Sequence, residues 1–231
     1  MFNHPDRHFI NRTNWLRASV LGANDGILST TSIVIGVAAA NPDRHMIVLA
    51  ALAGLIAGTF SMAAGEYVSV SSQTDVESDD LRRETAELRD TPEEELQELA
   101  GIYRKRGLDP QLSLEVARQL TAHNALEAHA RDELGINDMT RPKPMQAALA
   151  SAASFVSGGV LPLLVAIFAP VGRMIFYQYG FAIIFLAVSG AVAARIGGSN
   201  IVKSILRICF WGTVAMAISA LVGYLFGTAA R

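Results

Sequence analysis

The chain has 231 residues, 51% of them hydrophobic and 17% charged, with a mean hydropathy of +0.32, more apolar than an ordinary soluble domain and pointing to lipid. The formal net charge of -2 hides a segregation: residues 71–144 hold 17 acidic and 10 basic residues, and the remainder holds 4 acidic and 9 basic. An acidic island in a basic, apolar chain speaks against nucleic acid as a partner and for cations, and the single cysteine, Cys209, excludes both a disulfide framework and a thiolate cluster.

In chain order, Met1 to Arg17 is polar and basic. The apolar stretch after it is too long for a signal peptide and lacks a small-residue cleavage site, so it reads as a retained first span. About 20 helical residues cross about 30 Å of hydrocarbon. Ala18 to Ala40 and Met46 to Val70 meet that length with one acidic residue each, Asp25 and Glu66. The turn Asn41-Pro42-Asp43-Arg44-His45 separates them.

The acidic island follows. Leu81, Leu88, Leu96, Leu99 and Ile102, then Leu112, Leu114, Val116 and Leu120, recur at helical spacing, with Thr91-Pro92 as a start signal and Arg106 to Pro110 as punctuation. Three helices are predicted: one continuing from the second span, one from about Pro92 to Arg106, and one from about Pro110 to Leu134. Arg141-Pro142-Lys143-Pro144 leads back to lipid. Met145 to Gly172, Met174 to Ala194 and Ile208 to Ala230 are then uncharged apart from Arg173 between the first two, and give three further spans. The expected fold is an all-α polytopic membrane protein of five transmembrane helices with a cytoplasmic three-helix insert. Its parts are residues 1–70 (arm and spans 1–2), 71–144 (acidic metal-binding insert) and 145–231 (spans 3–5).

Lys and Arg cluster in the N-terminal arm, the island and the connection containing Arg195, Lys203 and Arg207; Arg44, Arg173 and Arg231 fall on the other side. The positive-inside rule puts the N-terminus and the island in the cytosol and the C-terminus outside.

A carboxylate in hydrocarbon costs several kcal/mol, about 2.5 upward, so Asp25 needs water or a partner. It could cap a broken helix or pair with Arg17; the functional reading is an ion pathway, with Asn24 beside it. Met62 and Glu66, four positions apart, share a helical face and offer a soft and a hard ligand to a borderline metal, Glu66 lying near the cytoplasmic boundary. In the island, most acidic residues suit a solvated face. Glu84 with Glu87 and Glu95 with Glu98 resist that reading, because like charges at i, i+3 repel unless a cation sits between them. Glu95 could instead cap the helix starting at Thr91-Pro92. His129 with Glu133 adds an imidazole and a carboxylate on one face, and Asp132 adjoins them. Glu127 with Arg131 resembles an ordinary helix salt bridge. Gly22-x-x-x-Gly26 and Gly54-x-x-x-Gly58 permit close helix approach, and Gly158-Gly159 with Pro162 makes the third span bendable.

Asn24-Asp25-Gly26 with Ile27 to Thr31, and Ser61-Met62-Ala63-Ala64-Gly65-Glu66-Tyr67-Val68-Ser69 continuing to Gln73, resemble the vacuolar iron transporter family in its bacterial branch. Glu98 to Tyr103, Leu120 to Leu126, Asp132 to Ile136 and Pro144 to Ala148 extend the likeness over nearly the whole chain from Trp15. The resemblance implies a homodimer in a bacterial inner membrane, with a pathway at the dimer interface through Asp25 and Met62. It implies a cytoplasmic helical domain whose glutamates, including Glu98 and Glu133, collect metal. It further implies export of ferrous iron or manganese from the cytosol in exchange for protons, for metal homeostasis and detoxification, with the metal as transported ion rather than resident cofactor. Gly101 stands where the resemblance leads one to expect glutamate, and His129-Ala130 where it leads one to expect a methionine pair.

Two other classes compete. A membrane-anchored metal buffer or sensor would bind without flux and leave Asp25 unexplained. A membrane di-iron oxidase would want Glu-x-x-His on two helices, and the nearest match, Glu127-Ala128-His129, has side chains that diverge. No enzyme activity is expected.

Overall fold

In the computed structural model, which describes residues 13–40, 43–136 and 142–229, the elements are α1 (Thr13–Ala40), α2 (Arg44–Asp90), α3 (Pro92–Lys105), α4 (Pro110–Asp132), α5 (Pro144–Phe168), a 3-10 turn (Val171–Arg173), α6 (Met174–Ile196) and α7 (Ile201–Ala229). No strand occurs among the described residues. Five helices are long and apolar enough to cross a membrane: α1, α2, α5, α6 extended by the 3-10 turn, and α7. The chain is therefore an all-helical, multi-pass membrane protein. The basic arm up to Arg12, the Asn41-Pro42 part of the first turn, Arg141 and Arg231 lie outside the described residues.

The chain forms two compact units, Met1–Tyr67 with Met145–Arg231, and Val68–Pro144. In the first, Val34, Ile47, Ala51, Ala166 and Met174 form one buried cluster, and Ile27, Ile35, Ala182, Leu186 and Met216 form another. Small residues let backbones touch where side chains would hold them apart. A Cβ on Gly26 would stand 2.1 Å from the Phe155 carbonyl oxygen, and one on Gly158 would stand 2.1 Å from that of Ala23, so α1 and α5 cross on glycine. Polar ties fix the other neighbours. Gln178, fully buried, donates to the Pro162 carbonyl at 2.7 Å, joining α6 to the proline of α5. Arg44 donates to the carbonyls of Ile167 and, at 2.7 Å, Ala169, satisfying acceptors that the end of α5 leaves open.

Two of the boundaries that differ from the sequence expectation have a local cause. The last helix starts at Ile201, not Ile208, because Asn200 Oδ1 accepts the Lys203 amide at 3.0 Å and caps it. Lys203 and Arg207 consequently lie on α7 and not in a connection. The third apolar segment stops at Phe168 because Pro170 has no amide to continue the helix.

In the second unit, α3 begins with Pro92 and Glu93 to Glu95 and ends with Arg104 and Lys105, charges that complement the helix dipole at each end. Gly107, at φ 103°, turns the chain. Asp109 caps α4 by accepting from Gln111 N and Leu112 N, both at 3.0 Å. Leu99 and Ala100 of α3 pack with Ala117 and Ala128 of α4. One feature of α4 departs from the expectation: Asn124 is non-helical, with φ -162° and ψ 95°. The predicted Glu127–Arg131 bridge does not form. Glu127 bonds Asn124 instead, and Arg131 pairs with Asp132.

Candidate metal centre

Three helices of the second unit each bring a candidate ligand to one point. Glu84 comes from the far part of α2, beyond its apolar run, Glu95 from the first turn of α3, and His129 and Glu133 from the end of α4. The imidazole is fully buried, and its Nδ1 lies 2.8 Å from Glu84 Oε1, 3.0 Å from Glu133 Oε2 and 3.7 Å from Glu95 Oε2. One ligand atom from each residue fits within a span of 4.8 Å. Ligands opposite one another on a first-row ion stand about 4 Å apart, so small side-chain movements would close this set on a cation.

The balance of donors and acceptors suits this cluster to a cation. A single imidazole N–H cannot serve three carboxylates, and buried acceptors without donors are costly. His129 Nε2 is buried without a hydrogen-bond partner among the described residues, and Glu84 Oε1, although 2.8 Å from Nδ1, is not aligned with a donor for a hydrogen bond. Burial pushes the Glu84 carboxyl up to about 7, with Glu133, Glu95 and Glu87 adding to the effect and His129 opposing it. Glu95 is also raised, by burial first and then by Glu98. Either protons or a positive ion must hold this cluster together. Three oxygens and one nitrogen suit borderline first-row ions.

The two i, i+3 pairs read from the sequence prove to be divided. Glu84 and Glu95 are buried, whereas Glu87 and Glu98 are exposed. The outer two, with Asp80 and Arg83, line a polar cavity of about 300 Å³ that also reaches Glu84, Glu95 and Glu133. Asp80 and Arg83 were not singled out by sequence; their one signal is the helical spacing of Asp80, Glu84 and Glu87. Thr91 makes no side-chain cap, and Glu95 Oε2 lies 3.7 Å from His129 Nδ1, so the Glu95 carboxylate faces the histidine.

Asp132, grouped with the ligands by sequence, is engaged elsewhere. Its carboxylate accepts from the Tyr103 hydroxyl at 2.6 Å, Arg106 at 2.7 Å and Arg131 at 3.0 Å. Burial alone would raise this carboxyl, but the three donors outweigh it and hold it down at about 2. Burial first, and then the bond to Asp132, raise the Tyr103 hydroxyl, with Arg131 opposing them. Asp132 ties α4 to α3.

In the membrane unit, Asp25 is half-buried on α1, and its backbone carbonyl accepts the Ser29 hydroxyl at 2.5 Å. No hydrogen bond or ion pair of its carboxylate is found among the described residues, a set that leaves out the Arg17 side chain. Asn24 accepts from Ser189 of α6 at 2.6 Å, which fixes the α1 backbone next to Asp25. Met62 and Glu66 are half-buried one turn apart on α2. No hydrogen bond or ion pair joins Glu66 to Asp25 among the described residues.

A family profile described as "VIT family" matches residues 16–224. The chain is 46% identical over 221 residues to a protein of Acanthamoeba castellanii named "Vacuolar iron transporter", covering 93% of this chain and 79% of that one. It is 36% identical to "Vacuolar iron transporter homolog 2" of Oryza sativa subsp. japonica, covering 94% and 93%. It is 33% identical to "VIT-like transporter 1b" of Glycine max, covering 99% and 83%. These relatives are eukaryotic, and the bacterial branch draws no support from them.

Proposed function

The chain belongs to the VIT family and is a metal-ion transporter of the membrane, not an enzyme; from that premise we propose that it exports ferrous iron or manganese from the cytosol in exchange for protons. The observation that carries the reading is the convergence of Glu84, Glu95 and Glu133 on His129. The exposed Glu87 and Glu98 concentrate divalent cations at the cavity mouth, and the buried ligands select those that accept nitrogen as well as oxygen.

Proton coupling has a source in the same chemistry. A carboxylate that holds a proton near neutral pH must release it to bind metal, so loading of Glu84 is a competition between the two. In the membrane unit, Asp25 is the carboxylate of the first span, and Met62 with Glu66 supplies thioether and carboxylate ligands on α2. Protonation of these groups from the outer side would release the ion there. The working form is a homodimer, with the N-terminus and the acidic unit in the cytosol and the C-terminus outside.

The test is flux into proteoliposomes under an imposed pH gradient, comparing ferrous iron, manganese and zinc. Wild-type protein should accumulate ferrous iron or manganese only with the gradient. D25A should bind metal and move none. Binding without flux by the wild-type protein would instead support a membrane-anchored buffer, and gradient-independent flux would remove the antiport.

A further inference from the structure

The break in α4 has its own repair. Asn124 is extended although the residues on both sides are helical. The Glu127 amide donates to Asn124 Oδ1 at 3.2 Å, and Asn124 Nδ2 donates to Glu127 Oε2 at 3.0 Å. The first is the bond of an N-cap residue to the amide three positions on, and the second ties the two side chains together and holds the capping oxygen in place. A second, short helix therefore starts after Asn124 with a cap of its own. It carries His129, and Glu133 follows at its end. The far end is held by Asp132 on Tyr103 and Arg106.

An extended residue advances the chain about 3.3 Å where a helical one advances about 1.5 Å. Healing the break would shift every later residue by about 2 Å and rotate it, whereas a binding constellation tolerates only about 0.5 Å. Both capping side chains are exposed, and neither is among the four ligands.

We propose that the Asn124–Glu127 cap is the positioning device of the cation centre, seating the terminal helix of α4 so that His129 and Glu133 reach Glu84 and Glu95. Asn124 and Glu127 are positioning residues that act through His129 and Glu133. The proposal rests on the reading of those four residues as a cation site.

Asn124→Ala tests it, because alanine removes the cap and favours an unbroken helix. In the detergent-solubilised full chain, N124A is expected to keep wild-type helix content by circular dichroism. It is expected to bind Mn2+ at least about tenfold more weakly by calorimetry, the size of effect seen when a ligand's support is lost. The Mn2+ it does bind should lose the imidazole nitrogen coupling that the wild-type complex shows in pulsed electron paramagnetic resonance. A merely structural role would lower the melting point of the metal-free protein and leave that coupling in place. Asn124→Ser keeps a capping oxygen and should restore both affinity and coupling. Wild-type affinity and coupling in N124A, or no recovery in N124S, would overturn the proposal. If N124A does not fold, Glu127→Ala carries the same test with a smaller expected loss, and unchanged Mn2+ binding there overturns it. Absence of Mn2+ binding by the wild-type chain would overturn the reading of the centre itself, a result distinct from unimpaired binding by N124A.

Discussion

Glu84 Oε1 lies 2.8 Å from His129 Nδ1, with 3% of the glutamate side chain and none of the histidine exposed. The contact joins residues 45 positions apart in sequence, on α2 and α4. It lies inside a ring of carboxylates that one imidazole cannot satisfy.

Inner and outer carboxylates should be separable by mutation. Glu84→Gln or His129→Ala removes a buried ligand and should weaken Mn2+ binding at least about tenfold. Glu87→Gln and Glu98→Gln act from the exposed mouth and should change affinity less than about threefold, because solvent screens them. Calorimetry on the four variants checks this. Equal losses in all four would mean that the exposed pair ligates too.

The metal-free acidic unit should become less stable as pH rises. The Glu84 carboxyl is raised from 4.5 to about 7 in the folded protein, so between those values the folded state binds more protons than the unfolded one. Its contribution is fully present below 4.5 and is lost as pH climbs through about 7, at most about 3 kcal/mol for a shift of this size. Opening free energies of α3 and α4 from amide exchange in EDTA, at pH 5 and pH 8, measure it. Added Mn2+ should abolish or reverse the trend, because metal binding strengthens as the carboxyls ionise.

Asp132 should behave as a structural residue. Asp132→Asn keeps an acceptor for Tyr103 but loses the charge that Arg106 and Arg131 share, which should reduce the stability of the unit by about 1 kcal/mol. Mn2+ affinity should stay within about threefold of wild type, by the same calorimetry. A loss as large as that of E84Q would restore Asp132 to the ligand set.

The crossing of α1 on α5 should tolerate no added methyl group. In Gly26→Ala the new carbon would sit 2.1 Å from the Phe155 carbonyl oxygen, so the helices must separate and the yield of monodisperse protein on size exclusion should fall sharply. Gly180→Ala on α6 meets nothing within 4 Å and gains helix propensity, so its yield should match wild type. A normal elution profile for G26A would mean that the crossing is looser than described.

The number and approximate place of the membrane-length helices are legible in the residues alone, because they follow from uninterrupted apolar length. The start of the last helix was less legible: the Asn200 cap begins α7 seven residues before the start expected from hydropathy. The candidate ligands Glu84, Glu95, His129 and Glu133 were also nameable, since spacing puts like charges on one face. Which carboxylates are buried was not, because Glu84 and Glu87 carry the same local signal and differ only in what lies opposite. Asp132 and Glu133 are neighbours, yet only Tyr103 of α3 and Arg106 just after it decide that one is an anchor while the other faces His129. The Asn124-x-x-Glu127 cap was written in the sequence as a local pattern. Its consequence, an imidazole carried into a ring of acids, exists only once α2, α3 and α4 are packed together.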